Sequence, residues 1–298
     1  MKEKFYNYKK IEKFILIQPI IDIFTSFMVR FSNLPITVGT IVRGLFFLYA
    51  LIYLMFYDRK ERIRNNRIYI MLIVLFCIIN LIVVYSFKEN IYILTEIINL
   101  FKLFYFPVIL FFFYSYYSQE EKKFDIKTLV KVSIIISVSI LIARVTNTVN
   151  FSYGTELSGK IGHSGWFNSS NEIGSLLSIL FPVLIYNIIK EKDSYSYVYI
   201  SLLIYGLFCI GTKVAYLSMI ICLILYLFSF FFDTVFFKKK FSSIKSKIWK
   251  PTIVVLSLVI VVTPFTPIFH NMGIHIKNLN INFLGFYNNV DPNIIKED

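Results

Sequence analysis

Nine stretches of the chain are almost free of charge and approach the length needed to cross a bilayer. At about 20 residues per span, they predict helices at 14–30, 37–57, 68–86, 95–117, 132–149, 171–189, 198–211, 214–233 and 251–268. The fold class this predicts is all-α, a polytopic transmembrane helical bundle. The run 198–233 needs its own argument: about 35 residues at about 1.5 Å each are too long for one ordinary span and short for two. A single helix there would carry the basic segment KKKFSSIKSKIWK to the side opposite the other basic loops, so a tight turn is expected at Gly211-Thr212-Lys213. After Pro264 and Pro267 the apolar pattern stops. Residues 1–268 therefore read as the transmembrane domain, with an outer loop at 150–170, and 269–298 as a partial, Asn-rich extracytoplasmic segment with no further span. The first run has a basic start but no small-residue cleavage site, and Pro19 and Asp22 interrupt it, so it reads as an uncleaved first span.

Composition agrees with this pattern. The chain is 57% hydrophobic and only 16% charged, with a mean hydropathy of +0.67, where a soluble domain carries about 25% charged residues. The net charge of +13 would suit nucleic acid if it were spread over a surface, but the basic residues sit in short clusters between apolar runs. Of the 31 Lys and Arg, 22 fall in alternate loops and six in the opposite set. That asymmetry places the N-terminus on the cytoplasmic side of the membrane and speaks against nucleic acid as partner. Cys77, Cys209 and Cys222 lie inside apolar runs without metal-type spacing, so they read as packing residues and imply no disulfide framework. The three histidines have no carboxylate spacing around them, so no metal and no cofactor is expected.

Chemistry is expected where polar groups concentrate, in GTELSGKIGHSGWFNSSNEIG at 154–174, which carries Gly154, Gly159, Gly162 and Gly165. Ionisable groups at membrane depth are costly and mark functional sites. Arg43, Lys102, Arg144 and the turn residue Lys213 all fall in the outer half, the side where cations are disfavoured, and together they suggest an anionic ligand. Glu96 and Glu172 sit near the same level. Each cation also has a bland explanation: Arg30 and Lys88 read as snorkelling side chains, and Arg43 or Arg144 alone could tie to Asp22. His163 sits on a glycine-rich loop where solvated histidines are common, and is also a candidate acid, base or ligand. Asn168 and Asn171 bracket the start of the helix at 171, where Ser169, Ser170 or Asn171 can cap free N–H groups. A capped helix N-terminus at a membrane mouth also attracts phosphate oxygens. Trp166 falls near a predicted interface.

The order of these features resembles the O-antigen ligase and polysaccharide polymerase family of bacterial membrane proteins. The resemblance is carried by GWFNSSNEIGSLLSILFPVLIY, through Gly165, Phe167, Asn168, Asn171, Gly174 and Pro182, and by CIGTKVAYLSMIICLIL, through Thr212, Lys213 and Ala215. It implies a metal-independent, lipid-phosphate-sugar-dependent glycosyltransferase of the GT-C type. Such an enzyme moves glycan from an undecaprenyl-pyrophosphate donor at the outer face to an acceptor glycan or lipid, in exopolysaccharide or capsule biosynthesis at the cell envelope, among membrane lipids. Mapped on this chain, Arg43, Lys102, Arg144 and Lys213 would hold pyrophosphate, with Asn168, Asn171 and Trp166 as glycan contacts and Glu172 or His163 taking the acceptor proton. Many relatives have Arg where this chain has Lys213, which keeps the charge but loses bidentate phosphate recognition. The family also carries a large outer loop with a functional His and further helices. This chain ends at Asp298, His270 and His275 cannot be equated with that His, and the chain reads as a truncated or split member. A lipid-linked glycan flippase or other transporter, and an inactive family member, are the alternatives. A flippase needs a polar path through the inner half, where the spans are nearly free of charge.

Overall fold

The computed structural model describes residues 8–32, 37–58, 60–88, 92–119, 124–153, 159–191, 195–235, 253 and 255–278. The helices are α1 (Tyr8–Phe31), α2 (Val38–Ile52), α3 (Lys60–Phe87), α4 (Ile93–Gln119), α5 (Ile126–Val145), α6 (Ser170–Glu191), α7 (Tyr195–Ile210), α8 (Lys213–Val235), α9 (Val255–Phe265) and α10 (Pro267–Asn278). No strand is present among the described residues, so the chain is all-α.

Eight of the nine predicted runs each fall on a helix, though the ends differ; the ninth, 251–268, has 251, 252 and 254 outside the described residues and covers α9, a break at Thr266 and the start of α10. The apolar criterion finds the stretch inside hydrocarbon, whereas Lys, Arg and Glu are good helix formers that extend it beyond. Thus α1, α3 and α5 begin at Tyr8, Lys60 and Ile126, six to eight residues before the predicted starts. Among the described residues, five helices are long and apolar enough to cross a membrane: Lys9–Phe31, Val38–Tyr57, Arg62–Phe87, Thr95–Ser118 and Ile126–Val145. A sixth exists if α9 and α10, bent by 56° at their junction, count as one span. The apolar parts of α7 and α8, Val198–Ile210 and Lys213–Ser229, are shorter.

The chain forms two compact units. The first comprises Met1–Phe14 and Phe27–Asp125, the second Ile15–Ser26 and Ile126–Asp298. In the first, α2 and α4 pack through aromatic rings. Phe112 meets Tyr53 edge-on at 5.2 Å and Phe46 at 5.7 Å, while Phe47 meets Phe101 at 5.1 Å. After Ile52 the helix widens into one π-helical turn, Tyr53–Tyr57, and Asp58 follows it, buried. The Asn66 amide donates to Asp58 Oδ2 at 2.6 Å and the Ser115 hydroxyl donates to the same oxygen, so α3 and α4 are both pinned to the end of α2.

In the second unit α5, α6, α7 and α8 bury one stripe each. Ile136 and Ile140 face Leu177, Phe181 and Leu184, with Leu203, Leu207 and Ile210 from α7 and Ala215, Met219 and Leu223 from α8. The i, i+3, i+4 and i+7 spacings are those of helices that bury one side. The pair α6 and α8 approaches closely because the contact positions are small: Ser178 and Ser218 hydrogen bond at 2.5 Å, and a Cβ on Gly174 would stand 3.0 Å from Thr212 Oγ1. Residues 146–149 at the predicted end of the segment, three of them polar, leave the helix instead. Asn147 adopts φ 55°, Thr148 N–H bonds to Ala143 O at 2.9 Å and Asn147 N–H to Arg144 O at 3.2 Å. This left-handed cap closes α5 four residues earlier than the predicted end at 149.

The expected turn between α7 and α8 is present, with Ile210 ending one helix and Lys213 starting the next. The polar stretch after Pro267 is helical through Asn278, since proline at a first helical position loses no hydrogen bond.

Candidate functional site at the hairpin end of the second unit

The last carbonyls of any helix lack intrahelical donors, and at the end of α7 the glycine-rich segment supplies them. Backbone pairing joins 150–152 to 162–165, with a bridge between Phe151 and His163. From this short hairpin His163 N–H donates to Cys209 O at 2.8 Å and Ser152 Oγ to Ile210 O at 2.7 Å. Tyr153 Oη donates to Gly211 O at 3.3 Å. Asn150 Nδ2 donates to Phe167 O at 3.1 Å and to Ser26 Oγ at 3.0 Å, tying the hairpin to α1. Two glycines are required by space and not by a ligand. A Cβ on Gly162 would stand 2.5 Å from Ile210 O, and one on Gly165, at φ 66°, 2.7 Å from Ile140 Cα. Both positions are therefore consumed by packing on α7 and α5.

At His163 the solvated reading does not hold: only 7% of it is exposed, and Nδ1 has no hydrogen-bond partner among the described residues. Burial first and the nearby Arg144 guanidinium second push its pKa below the ordinary histidine value, so the imidazole stays neutral. The consequence for stability has a definite sign. The unfolded chain binds a proton below about pH 6.5 that the folded chain refuses. The contribution is complete above that value and is lost as pH falls through it toward the folded pKa. Lowering pH from 7.5 to 5.5 is therefore expected to lower the thermal midpoint of the wild type more than that of His163→Gln; equal drops would show that the imidazole is not the group responsible.

The remaining predicted residues of this unit are placed as follows. Arg144 is exposed in the last turn of α5, and Lys213 is exposed as the first residue of α8, whose first turn has no acidic residue. A cation there opposes the positive end of the helix dipole, an arrangement disfavoured by about 0.3–1 kcal/mol until an anion joins it. Glu172 and Asn171 are exposed in the first turn of α6 and Asn168 is exposed just before it. Of the three possible caps, Ser169 is the one that accepts, from Glu172 N–H at 3.4 Å. Trp166 donates from Nε1 to Thr148 Oγ1 at 2.8 Å, fixing the indole beside the end of α5. Gly174, one turn into α6, packs on Thr212 and Ala215 at the start of α8, so the N-terminal ends of these two helices adjoin. The structure thus brings Arg144, His163, Trp166, Asn168, Asn171, Glu172 and Lys213 to one end of one unit.

Arg43 and Lys102 belong to the first unit. Arg43 stands one helical turn before Phe47 on α2, and Lys102 is exposed on α4. Glu96 pairs with Lys88 Nζ at 2.5 Å, which gives Lys88 a partner beyond lipid headgroups. Sequence reasoning missed Ser152, Tyr153, Asn150 and Asn271 altogether. Asn271 is 2% exposed; its Oδ1 accepts Ile161 N–H at 2.8 Å, and its Nδ2 donates to Ile161 O at 2.7 Å and Gly211 O at 2.9 Å. A single Asn in a polar stretch gives no sign of such contacts.

A family model described as O-antigen ligase like membrane protein matches residues 2–283. No curated protein and no solved structure matches the chain.

Proposed function

We infer the function from two premises: the chain belongs to the O-antigen ligase like membrane protein family, and the second unit gathers two cations and two adjoining helix N-terminal ends beside a capped hairpin. The family supports a membrane ligase or polymerase of polysaccharide biosynthesis. In our reading the protein transfers glycan from an undecaprenyl-pyrophosphate donor to an acceptor hydroxyl at the outer face of the bacterial plasma membrane. The observation that carries it is the Lys213 arrangement, a cation at the positive end of α8 beside the first turn of α6. A pyrophosphate seated there turns an unfavourable local field into a favourable one.

Arg144 and Lys213 hold the pyrophosphate, and their charges offset the negative charge that grows on it as the anomeric C–O bond breaks. The acceptor oxygen forms the new bond to the anomeric carbon from the opposite face, and polyprenyl pyrophosphate leaves with the electron pair of the old one. The acceptor proton passes to Glu172, the exposed carboxylate of the first turn of α6; His163, buried and neutral, is the less accessible of the two bases. Trp166 offers an indole face to a sugar ring, and Asn168 and Asn171 offer exposed amides beside it. The proposal is built on the residues of the second unit.

The decisive test reconstitutes the protein in nanodiscs with a lipid-pyrophosphate glycan and an acceptor. A lengthened glycan or new linkage is expected. Movement of the lipid across the bilayer without any new linkage would replace transfer by flipping, and neither activity would leave an inactive family member.

A further inference from the structure

We propose that Asn271 is a positioning residue for the pyrophosphate-binding cation Lys213, an assignment that rests on the donor site described above. Its amide sits at a three-way junction of α10, the hairpin and the turn between α7 and α8. The orientation is fixed by chemistry: Oδ1 faces an N–H and Nδ2 faces two carbonyls, so a flipped amide would place donor on donor and acceptor on acceptor. Both polar groups of the Ile161 backbone are engaged, as a neighbouring strand would engage them. The second donation, to Gly211 O, reaches the residue whose conformation aims α8.

Gly211 has φ 72°, and a Cβ there would stand 2.7 Å from Ile161 O, 3.0 Å from Pro267 Cβ and 3.1 Å from Asn271 Nδ2. The turn is therefore enclosed by Ile161, Pro267 and Asn271 itself, and its carbonyl also accepts from Tyr153 Oη. Two residues on, Lys213 opens α8, with Thr212 O accepting Tyr216 N–H at 3.3 Å. Without the Asn271 amide, Gly211 keeps one donor, the hairpin loses both bonds from Ile161, and the first turn of α8 is no longer held in one direction. A lysine ammonium whose stem is free to turn is a poor anion ligand. Asn271 thus acts on the ligand only through Lys213.

The test measures binding of undecaprenyl pyrophosphate without sugar to the full chain in nanodiscs, for wild type, Asn271→Ala, Lys213→Ala and the double variant, with glycan transfer assayed in parallel. About tenfold weaker binding is expected for each single variant, and the double variant is expected to bind no more weakly than Lys213→Ala. Independent, additive losses, or unchanged binding by Asn271→Ala, would overturn the assignment, because a merely structural asparagine would add its own loss to that of Lys213. Should Asn271→Ala fail to fold, Asn271→Asp keeps the acceptor for Ile161 N–H, removes both donations and is read in the same cycle. Wild type that binds pyrophosphate with the expected non-additivity yet transfers no glycan would sink the proposed reaction and leave the positioning role standing. Wild type that binds none would sink both.

Discussion

Arg144→Ala is expected to reduce glycan transfer in membranes by about 100-fold or more while leaving the amount of folded protein unchanged, and Lys213→Ala to do the same. The size follows from what the two cations are asked to do. A preorganised donor aimed at charge that develops in the transition state is worth about 2.7–4 kcal/mol when removed. Both side chains are exposed at the ends of their helices, so truncation leaves no cavity and no buried orphan, and stability is not the route by which activity falls. Lys213→Arg should retain most of the rate or exceed it, since the guanidinium adds a fork that suits phosphate oxygens. Normal product from both alanine variants, measured as glycan length on membranes of matched protein content, would exclude the site.

The second large effect concerns the hairpin. At Gly165 a methyl group meets the Ile140 backbone at 2.7 Å and the residue holds φ 66°, so Gly165→Ala combines a left-handed alanine, about 1–2 kcal/mol, with overpacking of about 1–3 kcal/mol. We expect a loss on the order of 3 kcal/mol, read as a lower thermal midpoint. Gly44 on α2 supplies the control, because a Cβ there meets nothing within 4 Å; Gly44→Ala should be neutral or slightly stabilising. If the two variants shifted the midpoint alike, the hairpin would not be packed on α5 as described.

The contrast between these two glycines also shows what the sequence made legible. Apolar runs located the helices because hydrocarbon forces the backbone to satisfy itself within each segment. The break at Gly211-Thr212-Lys213 followed from length and charge bias. Polarity alone also singled out the stretch 154–174 as the place where side chains gather. What a linear pattern does not contain is which partner each group meets. His163 looks like a solvated loop residue until the end of α7 is placed beneath it, and nothing in the pattern shows that Gly162 and Gly165 stand against Ile210 and Ile140. Arg43 and Lys102 lie on helices of the first unit, an assignment that depth along a helix axis does not contain. Asn271 lies furthest from legibility, since its three bonds join segments more than a hundred and about sixty residues away.

A consequence follows from the brevity of α7. Its 16 residues span about 24 Å, against about 30 Å of hydrocarbon in an ordinary bilayer, and its final carbonyls are satisfied by His163 and Ser152, with Tyr153 and Asn271 donating to Gly211 O just beyond its end. Such a helix gains nothing by lengthening to reach water. Where it borders lipid, the leaflet is expected to thin beside it, at a modest cost per ångström of mismatch that grows with acyl-chain length. One short helix should accordingly bias the protein, by that modest margin, toward the thinner regions of a membrane.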